Sequence, residues 1–237
     1  MLTVDFDRFP IIPGQRVLDL GAGGGRHSFA LLRKGARVVA LDHSLAEVES
    51  TNQMFAAMRE AGEVPADADA TAVRADAYHL PFPDASFDLV VAAEVLEHLH
   101  DDARAYAELS RVLKPGGRIA VTVPRWFPET VCWFLSDEYH EVEGGHIRIY
   151  QRRQVLDRLR VAGLRPYATH HAHALHSPYW WLKCAVGVGN DQAKPVRLYH
   201  KMLVWDIMKA PKLTRIGEAA LNPVLGKSLV VYATKVR

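Results

Sequence analysis

The chain has 237 residues, 49% of them apolar, and a formal net charge of +2, which is long enough and apolar enough for a full core and excludes a disordered or fibrous chain. Two cysteines, Cys132 and Cys184, make no disulfide framework, no run approaches the ~20 apolar residues of a membrane span, and Asp5, Asp7 and Arg8 stand where a secretory leader needs an apolar stretch. The expectation is a cytoplasmic α/β domain with an elaboration.

The first predicted element is Val17 to Leu20, a buried strand inside Arg16-Val-Leu-Asp-Leu-Gly-Ala-Gly-Gly-Gly-Arg26. Gly21, Gly23 and Gly25 allow a sharp turn beneath a ligand, and Gly25 to Lys34 reads as a helix. Strand, glycine turn and helix make a nucleotide-type site at the carboxyl end of a parallel sheet. A dinucleotide fingerprint needs G-x-G-x-x-G, and Arg26 occupies the third glycine's place; no Gly-Lys-Ser/Thr follows either, so a P-loop is excluded. Asp19, two residues before the turn, is poorly placed beside a pyrophosphate and well placed to accept from an ammonium group. The pattern fits a ligand with an amino-acid end, a nucleoside end and no phosphate, as in S-adenosylmethionine.

A second strand, Arg37 to Leu41, closes on Asp42-His43, an acid suited to both hydroxyls of a ribose. Ala61 to Ala70 reads as an exposed connection. A third strand near Ala72 to Ala75 ends in Asp76-Ala77, suited to the adenine amine and a ring nitrogen. A fourth, Phe87 to Ala93, ends in Glu94. Lys114-Pro-Gly-Gly117 reads as a turn and Arg118 to Val123 as a fifth strand.

These segments, with Leu80-Pro-Phe-Pro-Asp-Ala-Ser-Phe-Asp88, Glu94-Val-Leu-Glu-His98 and Arg111-Val-Leu-Lys-Pro-Gly-Gly-Arg118, occur in order and at matching spacings. Together they resemble a class I S-adenosylmethionine-dependent methyltransferase of the broad small-molecule group, over about residues 15 to 165 and the last strand. The resemblance implies a doubly wound, seven-stranded mixed sheet in the order 3-2-1-4-5-7-6, with the last strand antiparallel. It implies a cofactor held by Asp19, Gly21, Ala22, Gly23, Asp42, His43, Asp76, Ala77 and Glu94, with S-adenosylhomocysteine as product. It implies no substrate.

Beyond Gly145, Gln151 to Ala162 reads as a helix and Leu164 to Leu175 as the sixth strand; Lys227 to Lys235 reads as the seventh. About fifty residues separate the two strands, far more than a hairpin loop. We expect a methyltransferase domain at 1–176 and 223–237 with a helical insertion, 177–222, as a cap. Two helices are predicted there, around Tyr179-Trp-Trp-Leu and Val196-Arg-Leu-Tyr-His-Lys-Met-Leu-Val-Trp205. Little sequence precedes the first strand, so the insertion and Pro124 to Gly145 are expected to cover the methyl donor. From Ser177 onward ten Lys or Arg face three acids, a surplus of +7, while the remainder carries −5. That asymmetry suits an anionic, glycosylated or lipid-tailed acceptor or a peripheral membrane contact, or is a solvated face. No nucleic-acid motif is present. A monomer and a homodimer are both compatible.

Candidate bases for a hydroxyl acceptor are His146 and His140, with Glu94 and His98 behind them. Trp126, Tyr139, Trp180 and Trp181 are candidate substrate contacts, with Trp205, Tyr199 and Met202 as further aromatic or apolar lining; each equally serves as core or as a dimer interface. A metal site at His140, Glu141, Glu143 and His146 lacks H-E-x-x-H spacing, so no metal is expected. Strand alternation separates His171 and His173 from His170 and His176. The expected activity is O-methylation of a small or medium metabolite. Carbon methylation of a quinone-like or lipid-tailed acceptor and a non-catalytic cofactor-binding partner protein are the alternatives; a nicotinamide oxidoreductase is disfavoured by Arg26.

Overall fold

The computed structural model describes residues 2–142 and 144–236. Seven strands form one sheet: β1 (Arg16–Leu20), β2 (Arg37–Asp42), β3 (Asp69–Arg74), β4 (Phe87–Ala93), β5 (Leu113–Pro124), β6 (Leu164–Ala172) and β7 (Ser228–Lys235). Their order is β3-β2-β1-β4-β5-β7-β6, and only β7 runs antiparallel to its neighbours. This is the expected sheet.

The central strands are near-continuous apolar runs because both faces are covered. Leu18 and Leu20 pack into one core with Val90, Val121 and, from the covering helices, Leu109 and Leu159. Val17 points the other way, into a core with Val38, Val91, Leu31 and Phe55. The helices concerned are α1 (Arg26–Arg33), α2 (Leu45–Glu60), α3 (Asp102–Val112) and α5 (Arg152–Val161); α4 (Trp126–Leu135) follows β5. Ser44 caps α2 by accepting from the Glu47 N–H, and Asp101 caps α3 by accepting from that of Arg104.

Three helices lie between β6 and β7: α6 (His176–Val186), α7 (Lys194–Lys209) and α8 (Lys212–Leu225). The third was not foreseen. Its apolar residues Leu213, Ile216 and Val224 recur at helical spacing but face outward, its only buried residue is Glu218, and Pro223 lies inside it, which breaks the composition expected of a helix. No helix among the described residues is long and apolar enough to cross a membrane.

Two boundaries move. β5 begins at Leu113 rather than Arg118, because the Lys114–Gly117 turn is absorbed as an irregularity opposite Phe87 and Leu89. β6 stops at Ala172 because His173 adopts a left-handed backbone (φ 68°), and His176 is already the first residue of α6. Strand alternation therefore does not govern these two histidines: their ring centroids come within 5.5 Å.

Candidate functional site

A cavity of about 770 Å³ opens at the carboxyl ends of β1, β2 and β4, where a doubly wound sheet places its ligands. Leu20, Leu41, Ala75, Tyr78, Val95 and Leu99 give it apolar walls, and Asp42, Asp76 and Glu94 give it an acidic rim. His43, Ala77 and Gly21 also line it.

The floor is built by the glycine turn. Gly21 sits at φ 63°, and a Cβ there would lie 2.2 Å from a methyl of Val95, so the turn is possible only for glycine. The turn's N–H groups are spent inside the protein: Ala22 donates to the Leu41 carbonyl (3.0 Å), Gly25 to that of Ala22 (2.9 Å) and Gly23 to Oδ2 of Asp42 (2.8 Å). Three of the turn's N–H groups are thereby turned away from a pyrophosphate. Asp42 also accepts from the Ser44 N–H at Oδ1 (2.9 Å), so backbone bonds fix its carboxylate at the cavity edge.

Asp76 accepts from the Tyr78 N–H (2.9 Å), and that bond holds its carboxyl below the usual range, although the side chain is largely exposed. Asp19 departs from its expected place. It is fully buried beneath the cavity, accepts from the Ser28 hydroxyl at 2.6 Å, and burial pushes its carboxyl up to about 6. That bond ties β1 to the start of α1, and Asp19 itself does not line the cavity. Gly23 likewise serves by holding Asp42 rather than by lining the wall.

Opposite the turn lies a second, side-chain-built wall. Glu94, in a left-handed conformation (φ 56°), accepts from the Thr122 hydroxyl at 2.7 Å, and burial pushes its carboxyl up. His98 lines the cavity; burial lowers its basicity. Its Nδ1 meets the Gly145 carbonyl at 3.2 Å, which requires a proton on Nδ1 and leaves Nε2 as the acceptor. Glu97 is wholly buried and neither carboxylate oxygen makes a hydrogen bond, Oε1 lying 4.0 Å from Nε2 of His98; burial together with the charge of Glu94 pushes it well up toward the neutral acid.

Behind His98 stands His146, ring centroids 5.0 Å apart. His146 donates from Nδ1 to the buried Glu129, which also accepts from the Tyr139 hydroxyl (3.2 Å) and from Nζ of Lys227 (3.4 Å). Burial alone would raise Glu129; the His146 hydrogen bond and the Lys227 charge overcome it and hold the carboxyl at about 2. Lys227 lies 5.6 Å from the Trp180 ring, and Trp180 packs against Tyr139.

Of the expected residues, His146, Glu94, Tyr139 and Trp180 therefore belong to one connected cluster, with Glu94 on the wall and His146 one ring behind it. His140 does not join them: it stacks on Trp133 at 4.1 Å. Trp126 is half exposed on α4, and Trp181 donates to the Pro128 carbonyl (3.0 Å), so neither reaches the cavity. Trp205 is half exposed on α7, and Tyr199 donates to the Leu175 carbonyl. Glu143, considered as a metal ligand, lies outside the described residues. Glu97, Glu129 and Lys227 were missed. Glu97 sits inside a quoted motif, but Lys227 reaches the site only because β7 pairs with β5, placing Ser228 opposite Pro124.

Sheet order, glycine turn and acidic cavity rim are those of a Rossmann-like α/β protein. Residues 18–121 match the family described as a methyltransferase domain. The demethylmenaquinone methyltransferase of Thermobifida fusca (strain YX) is 42% identical over 111 residues, 46% of this chain and 43% of that protein. The 27-O-demethylrifamycin SV methyltransferase of Amycolatopsis mediterranei (strain S699) is 31% identical over 175 residues, 72% of this chain and 61% of that protein. The chain thus spans roughly two to three fifths of the length of these curated relatives. The fold is also that of a geranyl diphosphate C-methyltransferase from Streptomyces coelicolor A3(2), solved with Mg2+, geranyl diphosphate and S-adenosyl-L-homocysteine (TM-score 0.62, 18% identity, 94% of this chain and 73% of that one). Residues 18–121 thus carry a methyltransferase domain, of the class I S-adenosylmethionine-dependent kind.

Proposed function

We propose that this chain transfers a methyl group from S-adenosylmethionine to a hydroxyl of a small or medium metabolite. The observation that carries the oxygen assignment is the neutral His98 on the cavity wall, with Nδ1 committed to a carbonyl and Nε2 left to accept a proton. The donor set suits the cofactor: Asp42 for paired hydroxyls, Asp76-Ala77 for an amine and ring edge, apolar walls for the ring faces, and the N–H groups of Ala22, Gly23 and Gly25 bonded within the protein rather than offered to a phosphate. Bound there, S-adenosylmethionine supplies an electrophilic methyl group on a sulfonium.

The chain's own residues do the rest. His98 takes the proton from the acceptor hydroxyl at Nε2 as the oxygen becomes nucleophilic. His146, fixed by Glu129, backs the His98 ring and is a positioning residue. Glu94 and Glu97, pushed toward their neutral forms, keep unpaired negative charge away from the developing oxyanion. Tyr139, Trp180 and α4 close that side against water, which favours a step that cancels charge. The name of the 27-O-demethylrifamycin SV relative supports an oxygen acceptor; that of the demethylmenaquinone relative supports the alternative, a quinone-like or lipid-tailed one. The acceptor is anionic, glycosylated or lipid-tailed, in keeping with the basic, aromatic segment from Ser177 onward.

Calorimetry with S-adenosylhomocysteine, with NAD as control, tests the cofactor assignment. We expect binding of S-adenosylhomocysteine alone, weakened at least tenfold in Asp42→Ala. Binding of NAD instead overturns the reading, and binding of neither favours a non-catalytic partner protein.

A further inference from the structure

Outside the cavity, at the point where β6 hands the chain to the insertion, His173, His176 and Glu218 converge. One nitrogen of each imidazole and one carboxylate oxygen all lie within 4.8 Å of one another. We propose that these three side chains form a zinc-type site that clamps α6 and α8 to the end of β6.

The surroundings are those of a metal site. His173 Nε2 lies 3.0 Å from the Thr3 hydroxyl, and with Nε2 as donor the lone pair of Nδ1 is free; that nitrogen is 4.0 Å from Oε1 of Glu218. The other oxygen of Glu218 is held by Arg215 at 3.1 Å. Outer partners of this sort orient metal ligands and fix the imidazole tautomer. The inward atoms have no partner: Oε1 of Glu218 and Nδ1 of His176 are buried and accept no hydrogen bond, and neither does Oδ1 of the neighbouring, buried Asp206. Stranded acceptors of this kind are costly and call for an occupant.

Asp206 is paired with Arg215, whose charge the two carboxylates together outweigh. Two imidazoles and a carboxylate are a familiar zinc donor set. Bonds of about 2.1 Å in a tetrahedron set ligands about 3.4 Å apart, so a contraction of at most about 1.4 Å closes the site. The fourth position falls to water. The left-handed turn at His173 acquires a purpose: it ends the strand and lets two residues three apart meet as ligands.

The test uses the full chain, produced without a histidine tag, stripped with a chelator and titrated with Zn2+ by calorimetry. Co2+ titration read by its visible absorption reports the coordination geometry. We expect one equivalent per chain, binding at least tenfold weaker in His176→Ala and in Glu218→Gln, unchanged binding in His98→Asn, and a zinc-dependent rise in Tm that both site variants lose. Glu218→Gln keeps the side chain's shape, so it reports ligation even where His176→Ala disturbs folding. No binding, binding that survives both site variants, or binding lost in His98→Asn overturns the proposal; the last would move the metal to the Glu97, His98 and His146 group at the cavity.

Discussion

The two walls of the cavity are made in different ways. The turn side, Leu20 to Gly25 with Asp42 and Asp76, consists of strand ends and their next few residues, and backbone N–H groups fix its geometry. The opposite side draws Glu94 and His98 from the end of β4, Glu129 from α4, Tyr139 and His146 from the following loop, and Lys227 from the start of β7. Backbone-made sites tolerate few changes of conformation; side-chain networks tolerate few changes of charge.

The difference gives a graded set of expectations. The largest effect concerns the histidine wall: His98→Asn should lower kcat by about 10²–10⁴-fold while leaving S-adenosylhomocysteine affinity intact. Because burial depresses His98, the protein's kcat should hold as pH falls through the ordinary histidine value of about 6.5 and decline only below it, once Nε2 is protonated. A decline centred at or above 6.5, or the same profile in the Asn variant, would assign the proton to another group. On the turn side, Gly21→Ala forces a positive φ on alanine and a clash with Val95, together about 2–4 kcal/mol. We expect a Tm lower by about 5–10 °C and cofactor affinity reduced more than tenfold; an unchanged Tm would mean that the turn relaxes freely. The smallest effect is at His43, whose side chain is 92% exposed. His43→Ala should change affinity less than twofold, and a larger loss would show the side chain folding over the ligand.

The turn side was legible in sequence for the same reason that it is rigid. An apolar strand closing on Gly21, a second closing on Asp42 and a third closing on Asp76 are local patterns, and the parallel sheet brings such ends together. The opposite wall was legible in part. Glu94 and His98 follow a strand end directly, and His146 and Tyr139 stand in the expected segment. Glu129 is one more residue of the covering segment after the fifth strand, and Lys227 the lead-in to a strand, until the antiparallel pairing of β5 with β7 puts them side by side. His173 and His176 were misplaced because a non-glycine residue with positive φ leaves no trace in composition. α8 was missed although Leu213, Ile216 and Val224 recur at helical spacing, because Gly217 and Pro223 interrupt the segment and its apolar face packs into no core.

The position of β7 bears on the order of assembly. β6 hydrogen-bonds to no strand but β7, whose Leu229 to Ala233 are wholly buried between β5 and β6. On a ribosome, β1 to β5 can join as soon as they emerge, yet β6 must wait, unpaired, through the three helices of the insertion. The growing chain therefore passes through a stage with an open edge at β5, and closing that edge joins residues more than a hundred positions apart. Long-range closure of this sort is slow and leaves an edge open to wrong partners. The carboxyl-terminal strand is thus the latch of the sheet, and the insertion sets how long the latch stays open.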